Sequence, residues 1–223
     1  MIIKIILTVV GLLLIAGTGV LIKVRMEQSK MRPMDTQEII SGVYALKNKY
    51  VNFYLIKSGE RYIAIDAGLS DSKTIEELKS LDISSNDVAA VFLTHAHSDH
   101  IGALSVFGNA VVYIGKSETT NSLKNPRTTL LDDESVDISG ISIRCIYTPG
   151  HTNGSTCYLI NGKYLFVGDT LSLHGNQVGL FNSFYNKSNE IQKASIQRLA
   201  ELRGVECVFS SHYGFTNNAV FSS

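Results

Sequence analysis

The sequence predicts a layered α/β domain over residues 34–223, preceded by a membrane-anchoring segment over residues 1–33. Two observations indicate the α/β class: short apolar runs recur at close spacing from about residue 34, and helical patterns alternate with continuous apolar runs further on. Of the 223 residues, 44% are apolar and 18% are charged, which is typical of one globular domain and argues against disorder. The balance of 20 basic and 20 acidic residues argues against nucleic acid as a partner.

The first element is an uncharged run at residues 5–22, bounded by Lys4 and Lys23. As a helix this run would rise about 27 Å, which is close to the roughly 30 Å of a bilayer core. We expect an uncleaved single-pass anchor in the cell membrane, followed by a basic linker at residues 23–33. A cleaved signal sequence is the alternative, because small residues occupy positions 17–19. The basic linker favours a cytoplasmic domain and the short tail bearing Lys4 favours the opposite, so both orientations stay open.

The α/β domain begins with strands and continues as alternating strands and helices. Strands are predicted at residues 39–46, 51–56, 61–67, 88–93, 110–114, 141–147, 156–160, 164–167 and 205–209. Helices are predicted at residues 71–81, 101–107 and 189–202, and residues 128–137 are predicted to form a solvated turn. Together these elements predict two mixed sheets with helices packed outside them.

Metal-binding residue types cluster directly after the buried strand at 88–93. The run Thr94-His95-Ala96-His97-Ser98-Asp99-His100 holds half of the six histidines. In a loop, alternate side chains can point to one side, so His95 and His97 can bind one ion while Asp99 and His100 turn toward a second. A loop of solvated polar residues is the alternative interpretation. The close packing of three imidazoles and a carboxylate favours the metal site.

Three more candidate ligands follow the ends of later strands. They are His151 in Thr-Pro-Gly-His-Thr, Asp169 in Val-Gly-Asp-Thr, and His212 in Ser-Ser-His-Tyr-Gly. Each of them alone would be read as a surface or capping residue. Together with the first cluster they complete two coordination spheres.

This order of seven residues resembles the signature of the metallo-β-lactamase-fold superfamily, and the Asp66-Ala67-Gly68 turn agrees with it. The resemblance implies an αββα four-layer sandwich with the site at the edge of its two sheets. It also implies that one metal is held by His95, His97 and His151, that the other is held by Asp99, His100 and His212, and that Asp169 bridges them. Imidazole and carboxylate ligands suit two Zn²⁺ ions, with iron or manganese possible in one or both sites.

These features predict a dinuclear metal-dependent hydrolase. A metal-bridging hydroxide would cleave a thioester, ester or lactone in a small-molecule substrate, and Asp99 would orient the hydroxide and pass a proton. The sequence leaves the oligomeric state open.

Three alternatives remain. In motif the chain is most similar to the glyoxalase II and persulfide dioxygenase group. The first alternative is therefore a persulfide dioxygenase, which would use a single iron held by His95, His151 and Asp169. A zinc β-lactamase is disfavoured, because its best-known subclass has cysteine where Asp169 stands and arginine where His100 stands. A non-catalytic metal-binding module is the third alternative. Only a short tail follows His212, whereas glyoxalase II has a further C-terminal domain, so a glutathione thioester is not the expected substrate.

Aromatic residues provide a further candidate feature. Phe181, Phe184 and Tyr185 lie in a polar segment and are predicted to form a mobile wall over the metals, suited to an apolar acyl or lactone substrate. The alternative is that they only cover the sheet. Cys157 is predicted to be buried, and His174 to be solvated.

Overall fold

The N-terminal part of the chain forms a separate unit in the computed structural model, which describes residues 17–118 and 127–221. One unit ends at Arg32 and the other begins at Pro33. In the first unit, residues 17–28 form helix α1, which exposes the apolar side chains of Val20, Leu21 and Ile22. Within the described ranges, no helix is both long and apolar enough to cross a membrane. Most of the anchor predicted at residues 5–22 lies outside the described residues, so the anchor stays a prediction.

The second unit begins with a sheet in which the structure describes seven strands, and these follow one another in sequence order. The strands are β1 (Gln37–Ile40), β2 (Val43–Asn48), β3 (Val51–Ser58), β4 (Arg61–Ile65), β5 (Val88–Leu93), β6 (Val111–Gly115) and β7 (Arg127–Leu130). Strands β1 to β4 are antiparallel, whereas β4 to β7 run parallel. The parallel crossovers carry α2 (Asp71–Ser80) and the single-turn α3 (Ser98–Ile101), which a 3-10 turn at Leu104–Phe107 follows.

Among the described residues, nine further strands form two sheets in the rest of the unit. They are β8 (Ser135–Ile138), β9 (Ile141–Tyr147), β10 (Thr156–Ile160), β11 (Tyr164–Gly168), β12 (Leu171–His174), β13 (Gln177–Leu180), β14 (Cys207–Ser210), β15 (Gly214–Thr216) and β16 (Val220–Phe221). The six-stranded sheet has the order β15-β14-β11-β10-β9-β8, and the three-stranded sheet has the order β12-β13-β16. Helix α4 (Asn189–Ala200) lies between β13 and β14 in the chain.

Alternating side chains along the strands divide the apolar core into layers. Tyr54, Phe92, Phe166 and Phe209 belong to the core between the two large sheets, where the Tyr54 ring lies 5.3 Å from Phe166 and 5.6 Å from Phe209. On the other face of the first sheet, Phe53 and Leu55 pack with residues of α2 and of the 3-10 turn. On the other face of the second sheet, Val167 packs with Leu199 of α4. The layers therefore run helix, sheet, sheet, helix, which confirms the predicted αββα order.

Several predicted boundaries were wrong, and glycines explain two of them. Residues 39–46 form parts of two strands instead of one, because Gly42 adopts a φ of +80° and turns β1 back onto β2. A similar turn at Gly175, with a φ of +61°, joins β12 and β13 in a hairpin that the sequence did not predict. The helix predicted at 101–107 is divided between α3 and the 3-10 turn, and the turn predicted at 128–137 includes strand residues of β7 and β8.

Candidate metal centre

The candidate ligands meet at one edge of the sandwich because of how the parallel strands end. His95 follows β5, Asp169 follows β11 and His212 follows β14. Strand β5 runs parallel to β4, and β14 runs parallel to β11, so the carboxyl end of each strand lies at the same edge as that of its neighbour. His151 lies in the loop between β9 and β10. The structure brings all seven predicted site residues together at this edge.

The first cluster consists of three imidazoles. Nδ1 of His97 lies 3.1 Å from Nε2 of His95 and 2.9 Å from Nε2 of His151. Tetrahedral zinc with bonds of about 2.0–2.1 Å separates its nitrogen ligands by about 3.3 Å, so this spacing is close to that of three ligands on one ion. His95 and His151 are buried, whereas His97 is exposed on the open side of the site.

The second cluster consists of Asp99, His100 and His212, and Asp169 lies between the two clusters. Oδ2 of Asp99 is 3.4 Å from Nε2 of His212 and 3.9 Å from Nε2 of His100. Oδ2 of Asp169 lies 3.3 Å from Nε2 of His151 in the first cluster. Its other oxygen, Oδ1, lies 3.3 Å from Nε2 of His212 and 3.4 Å from Nε2 of His100. One carboxylate thus presents a different oxygen to each cluster.

Buried polar atoms without hydrogen-bond partners show that these residues fit a cation. Within the described part of the chain such atoms include Nε2 of His100, Nε2 of His212 and Oδ1 of Asp169. Burying polar atoms without partners is costly, and all three face one another across the second cluster. A divalent cation would satisfy all three atoms at once, so the donor set fits the metal that the sequence predicts.

Outer hydrogen bonds fix the orientation of four of the five imidazoles. Nδ1 of His100 donates to Oδ2 of Asp66 at 2.7 Å, and Nδ1 of His212 donates to the carbonyl of Tyr50 at 2.7 Å. Nδ1 of His151 donates to Oδ1 of Asn186 at 3.1 Å. In the same way Nδ1 of His95 lies 3.1 Å from the Thr94 hydroxyl, which itself donates to Asp66. With Nδ1 protonated, each Nε2 presents its lone pair to the centre.

The first cluster is electrostatically suited to neutral imidazoles. Burial lowers the pKa of His151 to about 4 and holds the pKa of His95 well below its ordinary value, and the neighbouring histidines reinforce the effect on both. Burial also lowers the pKa of His97. Neutral rings offer lone pairs at neutral pH, which is the state in which imidazole binds metals.

The second cluster is electrostatically suited to positive charge. Burial opposes the charged form of His212, but Asp169 and Asp99 outweigh it and raise the pKa of His212 to about 9. In the same way Asp169 and Asp66 raise the pKa of His100 well above its ordinary value against the effect of burial. Burial acts to raise the pKa of Asp169, but His212, His100 and His151 outweigh burial and hold this pKa well below its usual range. The same Asp169 charge that favours the protonated rings would stabilise a divalent cation that replaces the Nε2 protons of His100 and His212.

Two glycines allow the loops that carry the candidate ligands to lie close to Thr94 and Gln192. Gly168 has a φ of +52°, and a Cβ there would lie 2.6 Å from the Thr94 hydroxyl oxygen. Gly150 has a φ of +136°, and a Cβ there would lie 2.5 Å from the backbone of Gln192. Each glycine directly precedes a candidate ligand, so a side chain at either position would displace the ligand loop.

Sequence reasoning missed most of the residues that support the ligands. Asp66 was noted only as part of a turn, although it is buried and accepts hydrogen bonds from His100 and Thr94. Glu118 was not predicted, yet it accepts from the Ala96 amide at 3.2 Å and from the Thr152 hydroxyl at 2.7 Å, which ties two ligand loops together. These contacts join residues far apart in the chain and leave no local pattern.

The other candidate residues differ in their positions. Phe181 is buried and contacts the His151 ring edge-on at 4.9 Å, whereas Phe184 is 38% exposed. Cys157 is buried, as predicted. His174 lies at the exposed end of β12, with its ring 5.9 Å from that of Tyr213.

A family model confirms what the fold and the site indicate. The model described as the metallo-beta-lactamase superfamily matches residues 46–212. The chain therefore belongs to the metallo-β-lactamase superfamily.

Curated relatives include named hydrolases. The hydroxyacylglutathione hydrolase of Aeromonas hydrophila is 28% identical over 184 residues, which cover 81% of this chain and 67% of that protein. The probable polyketide biosynthesis zinc-dependent hydrolase PksB of Bacillus subtilis is 32% identical over 144 residues, covering 60% of this chain and 62% of that protein. The lactamase-like protein adaB of Aspergillus niger is 30% identical over 129 residues, covering 57% of this chain and 41% of that protein. The matches thus span about two fifths to two thirds of the length of these relatives.

Solved structures share the fold. A B3 metallo-β-lactamase with an active-site glutamic acid superposes with a TM-score of 0.66 at 17% identity, covering 87% of this chain and 86% of its own. The metallo-β-lactamase family protein TTHA1429 from Thermus thermophilus superposes with a TM-score of 0.63 at 21% identity, covering 81% of this chain and 76% of its own. At these identities the likeness is one of fold alone.

Proposed function

We propose that this protein is a dinuclear metal-dependent hydrolase that cleaves a thioester, ester or lactone in a small-molecule substrate. The observation that carries the proposal is the position of Asp169, which presents one carboxylate oxygen to each of two clusters of metal-binding side chains. Family membership and the relatives named as hydrolases support the same reaction class. Thioesters are the first substrates to test, because hydroxyacylglutathione hydrolase is among those relatives.

The donor set suits two zinc ions. His95, His97 and His151 would hold one ion, Asp99, His100 and His212 the other, and Asp169 would contact both. When bound by these residues, zinc would supply a nucleophile at neutral pH and polarise the substrate carbonyl, so the chain would need no nucleophilic side chain of its own.

Asp99 is the proposed catalytic residue of the chain. Its side chain is 17% exposed, whereas those of His100, His212 and Asp169 are 4% exposed or less. A carboxylate on the open side of the site can orient a nucleophile with one oxygen and accept or return its proton. Asp169 is buried between the two clusters, so its negative charge is suited to balancing the charge of the metal ions and not to transferring protons.

Hydrolysis by the zinc-loaded protein tests the proposal. We expect turnover of at least one member of a panel of acyl thioesters, aryl esters and lactones. Asp99→Asn should lower kcat by about 10²–10⁴-fold with the fold intact, since general acid–base groups typically contribute that much. His97→Ala should lose metal and turnover together. His174→Ala removes the one histidine outside the two clusters and should change neither, so it is the matched control.

Two results would contradict the proposal. One is full activity in His97→Ala. The other is a protein that binds iron alone and oxidises persulfides without hydrolysing any member of the panel.

We also propose that residues 5–22 tether the enzyme to the cell membrane as a single span, with the orientation open. The absence of charge over this run and the exposed apolar side chains of Val20, Leu21 and Ile22 support the tether. The full chain should then stay with membranes after alkaline carbonate extraction, and Leu13→Lys should release part of it. Recovery of the unaltered chain in the soluble fraction would contradict the tether.

A further inference from the structure

Aromatic rings lead outward from the candidate metal centre. The Tyr50 ring stacks on His212 at 6.0 Å, with 17° between the ring planes. The Phe181 ring contacts the His151 ring at 4.9 Å, and Tyr185 lies 6.5 Å from Phe181. The Phe184 ring meets Tyr185 edge-on at 5.0 Å. We refer to Tyr50, Phe181, Phe184 and Tyr185 together as the aromatic cleft.

Burial decreases along the aromatic cleft. Phe181 is 1% exposed, Tyr50 and Tyr185 are half-buried, and Phe184 is 38% exposed. The Phe181 ring contacts the rings of His151 and His212, whereas Tyr50, Tyr185 and Phe184 keep part of their surface exposed. The surface next to the metal ligands is therefore aromatic and uncharged at these positions.

Hydrogen bonds hold one wall of the aromatic cleft in place. The Phe181 amide donates to Oε1 of Gln192 at 3.1 Å, and Nδ2 of Asn186 donates to the Phe181 carbonyl at 3.1 Å. Between these anchors the Phe184 amide donates to Oδ1 of Asn182 at 3.0 Å. The segment that the sequence predicted to be mobile is thus anchored at both ends, which suits a preformed binding surface.

We propose that the aromatic cleft binds the acyl part of the substrate and selects an acyl group that ends in a flat aromatic ring. This proposal rests on the proposed hydrolase function, because the scissile carbonyl must lie at the metal centre. Aromatic side chains pair favourably with a further ring in stacked or edge-to-face geometry, so the partly exposed rings of Tyr185 and Phe184 would stabilise a substrate ring more than an aliphatic acyl group.

A pair of thioesters tests this selectivity. The 3-phenylpropionyl and propionyl thioesters of N-acetylcysteamine share a leaving group, and two methylenes insulate the carbonyl from the ring. We expect the zinc-loaded full chain to prefer the phenylpropionyl thioester by about tenfold or more in kcat/KM, because the cleft buries the added ring. Phe184→Ser should reduce that preference severalfold. Ile75→Ser removes an exposed apolar side chain from α2 and should leave the preference unchanged.

Binding of the product acids separates failure of the cleft from failure of the hydrolase. Isothermal titration calorimetry should show tighter binding of 3-phenylpropionate than of propionate, whether or not the thioesters turn over. Equal kcat/KM values for the two thioesters, or equal affinities for the two acids, would overturn the aromatic cleft and leave the hydrolase intact. A binding preference for 3-phenylpropionate with no turnover would support the cleft and count against the hydrolase.

Discussion

Gln192 connects the candidate metal ligand His151 to the wall of the aromatic cleft, and its replacement by methionine should weaken both. Gln192 is fully buried on α4. Its Oε1 accepts from the Phe181 amide at 3.1 Å and from Nδ2 of Asn186 at 2.8 Å. Its Nε2 donates to the Asp169 carbonyl at 3.2 Å and to Oδ1 of Asn186 at 3.1 Å, the atom that also accepts from His151. Methionine has a similar length but can make none of these bonds.

The size of the effect follows from the groups that lose their partners. Gln192→Met removes the amide partner of the Phe181 N–H and of the Asp169 carbonyl, and each loss inside the protein costs about 1–3 kcal/mol. We therefore expect a loss of about 3 kcal/mol in the free energy of unfolding. For a domain of this size the loss corresponds to a fall in Tm of about 6–12 °C. Looser positioning of His151 through Asn186 should lower zinc affinity by about 10–100-fold, as is typical when the outer partner of a metal ligand is lost.

Thermal unfolding and competition with a chromogenic zinc chelator measure the two effects. Gln177→Met is the matched control, because Gln177 carries the same amide at an exposed position of β13. Its Tm and zinc affinity should equal those of the unaltered protein. A Gln192→Met variant with unchanged Tm and unchanged zinc affinity would refute the reasoning.

Two further predictions concern the ligand loops and the thiols. Gly168→Ala should lower the free energy of unfolding by about 2 kcal/mol or more and weaken zinc binding, because a Cβ would lie 2.6 Å from the Thr94 hydroxyl. Gly175 has a similar φ but open space around it, so the control Gly175→Ala should lower the free energy of unfolding by only about 1 kcal/mol. Equal Tm values for the two variants would contradict this steric argument. Burial raises the pKa of Cys145 to about 12 and that of Cys157 to about 11, so at pH 8 a thiol-specific disulfide reagent should label them only after unfolding. Rapid labelling of the folded protein would show that these thiols are not buried.

The sequence predicted the class of fold because the hydrophobic patterns of its main elements are local. The continuous apolar run of β5 and the helix α2 lie within two residues of their predicted bounds. Residues 39–46 were predicted as one strand, because the run of apolar residues does not reveal the turn at Gly42. The hairpin of β12 and β13 escaped prediction for a similar reason, since its turn depends on the conformation of Gly175.

The candidate ligands could be predicted from the sequence, whereas their supports could not. Histidine and aspartate at strand ends are recognisable residue types in a recognisable order. The contacts of Asp66 with His100, and of Asn186 with His151, join residues more than 30 positions apart that have no sequence pattern of their own. Only the packing of the two sheets and α4 brings such groups together, so a structure was needed to find them.

The most direct test of the account is the metal content of the full-length protein, purified without chelators, loaded with zinc and dialysed. We expect about two zinc ions per chain, because each oxygen of Asp169 faces a separate cluster. Asp169→Ala should reduce this number to one or fewer, since both clusters lose a shared ligand. A single tightly bound ion in the unaltered protein, or a metal content that Asp169→Ala leaves unchanged, would contradict the central claim.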